Sequence, residues 1–249
     1  MRRMRHIKAS EVQGCTLALD AGRPSLYDAT SGGSLVASGG SVARWEDTSG
    51  NANHVTKSTG SQKPTYSSSE ANGYGAVSFD GGDELVSAAG SQSVFWGAAT
   101  NTVVAVVKQN SARLTNALLA ADHLNLSGGV TIWATYNDVI YWDAPNSGAR
   151  ISVAQPSGWD NAYKALSTLR NGGTVEIRVD SKSIATATGK TGSVSYTAKE
   201  LIIGNNSNPP ASGLQGFIAL LAIYPLALSA PVVRRVEHAW MRKTRIASA

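Results

Sequence analysis

An all-β, two-sheet sandwich closed by a single C-terminal helix is the fold this sequence predicts, and three observations predict it. Glycine (25) and serine (30) make up 55 of the 249 residues while only 16% are charged, the economy of a turn-rich β chain rather than a helical one. Twelve short alternating or apolar segments recur, each bounded by Gly, Asn, Asp or Ser, and a dozen strands at that spacing call for two packed sheets. One segment alone, at the C-terminus, has helical periodicity. With 42% hydrophobic residues and 17 aromatics (6 Trp, 8 Tyr, 3 Phe) the chain can bury a sizeable core.

Taken in order, the predicted strands are 16–20, 75–79, 102–108, 117–121, 130–136, 138–142, 150–154, 163–170, 174–180, 183–188, 201–204 and 217–224. Asn171-Gly172-Gly173 reads as a tight hairpin turn, because Asn and Gly tolerate positive φ. In the strand after it, Val175, Ile177 and Val179 should face inward, with Thr174, Glu176, Arg178 and Asp180 outward. Residues 28–74, rich in Gly, Ser, Thr and Asn, read as long loops over the sandwich edge, with Trp45 as a pin. Trp96, Trp133 and Trp240 are expected in the core. The helix runs over about 229–243. Ser229 can cap it, Pro231 is tolerated in its first turn, and Val232, Val233, Val236, Ala239 and Trp240 form one stripe. With no repeat and no linker, residues 15–249 read as one domain behind a basic arm, 1–14.

Charge narrows the function classes. The net charge is +5 and the pI about 9.4, but the excess is terminal. Arg2, Arg3, Arg5 and Lys8 stand without an acid in the first ten residues, and residues 199–249 hold six basic and two acidic groups. A nucleic-acid binder spreads its Lys and Arg over a face, so nucleic acid is not the expected partner. The longest apolar run, Phe217 to Leu228, is 12 residues and contains Pro225, too short for a membrane span of about 20. No apolar segment follows the basic start, so export through a signal peptide is not expected. Cys15 is the only cysteine, and His6, His54, His123 and His238 have no partner at metal-ligand spacing, so neither a disulfide nor a zinc site is expected.

Two sets of motifs carry a resemblance. Trp45-Glu46-Asp47-Thr48-Ser49-Gly50-Asn51, Asn53-His54, Lys63-Pro64-Thr65-Tyr66 and Ala76-Val77-Ser78-Phe79-Asp80-Gly81 form the first. Leu201-Ile202-Ile203-Gly204, Gly216-Phe217-Ile218-Ala219, Ile223-Tyr224, Ala227-Leu228-Ser229 and a helix ending near Lys243 form the second. Together, over roughly 45–245, they resemble the opening and closing signatures of laminin-G-like jelly rolls, of bacterial and phage type, in the concanavalin A-like lectin/glucanase superfamily. The sequence departs from that pattern at Leu220, where many members carry an acidic residue. The resemblance implies a jelly-roll sandwich, and it links the fold to glycan lectins, to glucan hydrolases and to adhesive or virion modules.

The hydrolase branch places two glutamates at i and i+4 on one strand with an aspartate between. Glu176-Ile177-Arg178-Val179-Asp180 copies the spacing but sets a guanidinium at the centre. A retaining glycosidase needs one carboxyl neutral and one ionised, roughly 5–5.5 Å apart, and a cation between them favours both ionised forms. No catalytic residue is therefore expected. Glycan binding needs aromatic faces beside amides and carboxylates, and one stretch offers both: Asn137, Tyr141, Trp142, Asp143, Trp159 and Asn161 are the candidate glycan-binding residues. No cofactor is expected. Calcium bridging Asp80, Asp83, Asp138 or Asp143, as in some relatives, is the metal use the resemblance allows, although no calcium-loop ligand run is present.

Low charge, Ser/Thr-rich loops and basic ends favour a non-catalytic structural or adhesion module. The first expectation is a phage virion component (capsid decoration, fibre or tail protein), oligomeric with other virion or assembly subunits. Arg2, Arg3, Arg5 and Lys8 would be its assembly contacts, and surface polysaccharide a further partner. A free carbohydrate-binding, lectin-like protein at a cell surface or outside the cell comes second, and a glycoside hydrolase third.

Overall fold

The computed structural model describes residues 12–88, 92–96, 99–110, 115–121, 130–143, 150–190, 200–205 and 213–247. The chain begins with β1 (Leu17–Asp20), β2 (Leu26–Tyr27), β3 (Arg44–Trp45), β4 (Val55–Thr56), β5 (Thr65–Ala71), β6 (Tyr74–Asp80) and β7 (Leu85–Val86). A single helical turn, α1 (Gln92–Phe95), precedes β8 (Thr100–Gln109), β9 (Thr115–Ala121), β10 (Val130–Tyr136), β11 (Val139–Trp142) and β12 (Ile151–Ala154). The last elements are β13 (Lys164–Asn171), β14 (Thr174–Val179), β15 (Lys182–Ala187), β16 (Leu201–Ile203), β17 (Gln215–Tyr224) and α2 (Ala230–Lys243).

The strands form two antiparallel sheets. The first has eight strands in the order β15-β14-β13-β8-β17-β6-β5, with β1 also pairing β17; the second has nine, β12-β11-β10-β9-β16-β7-β4-β3-β2. Leu17, Trp45, Phe79, Val103, Ala105, Trp142, Ile177, Ile203 and Leu221 are buried between them in the main core. A second core lies on the outer face of the first sheet, where Val104, Val106, Ala219, Leu220 and Tyr224 pack against Val236, Ala239 and Trp240 of α2. The strand period of two explains both. In β8 the odd residues Val103, Ala105 and Val107 belong to the main core and the even ones, Val104 and Val106, to the helix-covered core.

All twelve expected strands are present. The β13–β14 hairpin turns at Gly172-Gly173, with Asn171 paired to Thr174 and Gly172 at φ +58°. Two expectations are corrected. Residues 28–74 are not all loop: they hold β3, β4 and the seven-residue β5. As the edge strand of the first sheet, β5 needs few apolar side chains, which hides it in the sequence. The outward face of β14 is not solvated at Arg178, which is only 4% exposed because α2 lies over it. Arg178 Nε donates to Glu237 Oε1 of α2 (3.0 Å), Nη1 to Glu176 Oε1 (2.9 Å) and Nη2 to the Ser181 carbonyl (2.6 Å).

Helix α2 starts at Ser229 as expected. The Ser229 side chain makes no cap, and its carbonyl instead accepts the N–H groups of Val232 (2.9 Å) and Val233 (3.0 Å). Trp45 is fully buried, Trp96 and Trp240 are buried, and the Trp133 side chain lies outside the described part.

Candidate functional site

The outer face of the first sheet is covered by α2 over only part of its area, and a cleft of about 360 Å³ opens beyond the helix end. Lys108 lines it, continuing the outward phase of Val104 and Val106 on β8. The β8–β17 register sets Phe217 opposite Lys108. A Cβ at Gly216 would fall 2.0 Å from the Lys108 carbonyl oxygen, so the close approach of these strands requires glycine there. On the other side the β8–β13 register, Lys164 opposite Val107, brings Tyr163 alongside. The Lys108 ammonium stands 4.4 Å from the Phe217 ring centroid and 5.3 Å from that of Tyr163, and it is ion-paired with Glu70 of β5.

The cleft walls are polar. Lys164 Nζ lies 3.5 Å from Asp180 Oδ2, while Asp180 Oδ1 accepts the Ala165 N–H (2.9 Å). Asn72 Nδ2 donates to the Thr244 carbonyl (2.8 Å), tying the β5–β6 turn to the segment after α2, which contributes Arg245, Ile246 and Ala247. The Tyr163 side chain is nine-tenths buried, and its hydroxyl has no hydrogen-bond partner. Burial, and then the Glu70 charge, push its phenol above the ordinary tyrosine range, so at neutral pH it is an O–H donor.

Among the expected glycan-binding residues, the structure brings only Asn161 to this cleft. It is exposed, at φ +60°, and its N–H donates to the Gln109 carbonyl (2.7 Å). The two tryptophans are not surface platforms: Trp142 is fully buried and Trp159 5% exposed, both in the main core. Trp142 shares the inward phase of Ile140 on β11. Trp159 is drawn in by its indole N–H, which donates to Gln109 Oε1 (3.2 Å), an oxygen that also accepts from Thr135 (2.5 Å). Asn137 and Asp138, at φ +47° and +61°, are the exposed two-residue turn between β10 and β11. Tyr141 is half-buried beneath the Arg150 guanidinium (5.6 Å), which also binds Asp143 with both Nε and Nη2, the latter at 3.0 Å. Asn137, Asp138, Tyr141 and Asp143 belong to β11 or flank it, in the second sheet, and none of them lines the cleft.

The remaining expectations separate cleanly. Glu176 is held by Arg178 and Asp180 by Lys164, so the two carboxylates of that strand serve different ion pairs. Of the calcium candidates, Asp80 and Asp83 meet at one corner and Asp143 is engaged by Arg150. Among the described residues no group of three or more His, Cys, Asp or Glu is placed to hold a metal ion, and no helix is long and apolar enough to cross a membrane. Arg2, Arg3, Arg5 and Lys8 lie outside the described residues. Sequence reasoning missed Lys108, Tyr163 and Arg245. The legible signal was Lys108 itself, a charge directly after the apolar run Val103 to Val107 and in phase with the buried Val104 and Val106.

Fold and cleft together define an all-β sandwich whose first sheet carries a helix and a half-open polar site on its outer face. No family model and no curated protein matches the chain. Solved structures do. The chain is similar over 90% of its length to domain 4 of AbnA, a GH43 extracellular arabinanase from Geobacillus stearothermophilus in complex with arabinotriose (13% identity, TM-score 0.60, 98% of that domain). Over 98% of its length it is similar to Trypanosoma rangeli sialidase (15% identity, TM-score 0.62, 36% of that chain). The binding domain of botulinum neurotoxin serotype D is a third neighbour (92% of this chain, 13% identity, TM-score 0.60, 51% of that chain). The chain thus spans about a third of the sialidase and half of the toxin domain. At these identities the likeness establishes the fold, a β-sandwich compatible with the lectin-like jelly roll, and it lends the virion expectation no support.

Proposed function

We propose that the protein is a non-catalytic glycan-binding module whose ligand lies in the cleft around Lys108. Tyr163 carries this reading. It lines the cleft and its hydroxyl is buried without a partner, a polar group left for a ligand taken up there to satisfy. The neighbouring Asn161 amide, with Ala162 and Ile246 of the same lining, supplies the mix of polar and apolar contacts that sugars use. The similarity to an arabinanase domain seen with arabinotriose supports the ligand class. The motif resemblance supports the laminin-G-like branch of the concanavalin A-like superfamily.

Absence of catalysis is part of the proposal. An acid/base pair needs one carboxyl kept protonated by apolar surroundings, whereas Glu70 and Asp180 are each ion-paired to a lysine. A glycan array followed by calorimetry tests the binding site. Tyr163→Phe should weaken the best glycan several-fold, the worth of about one hydrogen bond, without lowering the melting temperature. Wild-type affinity in that variant would place the site elsewhere. β-Glucans, agars and alginate should release no reducing ends on incubation, and activity abolished by Glu176→Gln would overturn that half.

A second reading, the same module on a phage particle, is favoured by one observation: four basic groups and no acid in the first ten residues.

A further inference from the structure

The cleft is not electrically balanced. Its lining holds Lys108, Lys164 and Arg245 against Glu70 and Asp180. Lys108 pairs with Glu70 and Lys164 with Asp180, which leaves Arg245, exposed and with no ion-pair partner among the described residues. The backbone holds Arg245 there in an unfavourable conformation. Helix α2 ends in a Schellman turn: the Arg245 N–H donates to the Arg242 carbonyl (3.4 Å), the Ile246 N–H donates to the Met241 carbonyl (2.9 Å), and Arg245 takes φ +51°. Glycine is the usual residue at that position, because a Cβ is strained in the left-handed region. The chain thus places a free guanidinium at the cleft rim at the expense of fold stability.

The second observation is Tyr163, a residue of the same lining whose buried hydroxyl is unpartnered. Both acids of the lining are already satisfied by lysines, so the unengaged groups are a cation and a neutral hydroxyl. Together they suit a ligand carrying an anionic group beside ring hydroxyls. Resting on the glycan-binding reading, we infer that the cleft takes an anionic saccharide, its carboxylate or sulfate held by Arg245 and its ring hydroxyls by Tyr163 and Asn161. A guanidinium offers either oxyanion two parallel N–H groups, which a lysine in its place would not.

The test is calorimetry with three defined probes, an oligogalacturonate, a sulfated galactan oligomer and a neutral galactan oligomer, on the full chain at 50 and 500 mM NaCl. At least one acidic probe should bind at least tenfold more tightly than the neutral one, with the advantage shrinking at high salt as the Debye length falls. Arg245→Gly should do two opposite things. It should raise the melting temperature by about 2–4 °C through relief of the left-handed strain, and weaken the acidic probe about tenfold or more through loss of a charged hydrogen-bond donor. Arg245→Gln, which keeps the Cβ strain and removes the charge, should lose the affinity without the stabilisation. Arg245→Lys should recover part of it.

Neutral and acidic probes binding alike, or full affinity in Arg245→Gly and Arg245→Gln, would overturn the inference while glycan binding stands. A poly-glutamate peptide binding as tightly as the acidic probes would overturn it by showing a site for anions of any kind. Failure of all three probes, with no response on a wider array, would remove both the inference and the glycan-binding reading beneath it.

Discussion

Asp83, at the corner between β6 and β7, is 6% exposed, and its Oδ2 accepts the Asp80 N–H at 3.1 Å. Burial pushes its carboxyl up to about 6; the Asp80 carboxylate adds to the rise, and the Asp80 N–H opposes it. An unfolded aspartate titrates near 3.9. Between about pH 4 and 6 the native state therefore binds more protons than the unfolded one, and stability falls as pH rises through that window. Asp83→Asn keeps an acceptor for the Asp80 N–H and removes the charge. Its melting temperature should exceed the wild type at pH 7, and the difference should vanish near pH 4; equal pH slopes in the two proteins would refute this. The tryptophans show the same dependence on surroundings. Trp142 and Trp159 border turns beside Asn and Asp, which reads as surface, yet one follows an inward strand phase and the other finds a buried acceptor in Gln109.

At the scale of elements, α2 is fixed to the first sheet by more than its Trp240 stripe. Arg178 of β14 and Glu237 of α2 are 5% and 0% exposed at their side chains and meet at 3.0 Å. Removing Arg178 strands the Glu237 carboxylate in a place water does not reach, whereas without Glu237 the guanidinium keeps Glu176. Arg178→Met alone should cost about 3–5 kcal/mol in denaturant unfolding, whereas Arg178→Met with Glu237→Leu should recover most of that loss, because a buried pair repays little beyond its own desolvation. A small effect of Arg178→Met would mean that the helix is hydrated at Glu237. The strand that sequence reasoning took for a display of surface charge is thus the docking face for a helix 59 residues further along the chain. Edge strand β5 escaped notice for the converse reason: Thr65-Tyr66-Ser67-Ser68-Ser69-Glu70 satisfies its backbone by pairing with β6 while burying little.

In the whole molecule, residues 1–10 carry four basic groups and little apolar side chain to bury beyond Met4 and Ile7. Deleting residues 1–10 should therefore leave a folded sandwich with an unchanged melting temperature. If the virion reading holds, the deletion should also abolish incorporation into the particle, with high salt partly mimicking the loss; wild-type incorporation would leave the arm as a tail. The β class, all twelve expected strands, the hairpin turn at Gly172 and the C-terminal helix were legible because each is written locally, as a period of two, a period of 3.6 or a turn residue. The cleft was not. Lys108, Tyr163 and Arg245 are separated by up to 137 positions in the sequence, and they meet because strand register sets Lys108 and Tyr163 side by side while the end of α2 delivers Arg245. Local pattern determined which residues point in or out of a sheet; tertiary packing alone decided whether "out" meant water, a helix or a binding cleft, since that depends on what distant chain covers the face.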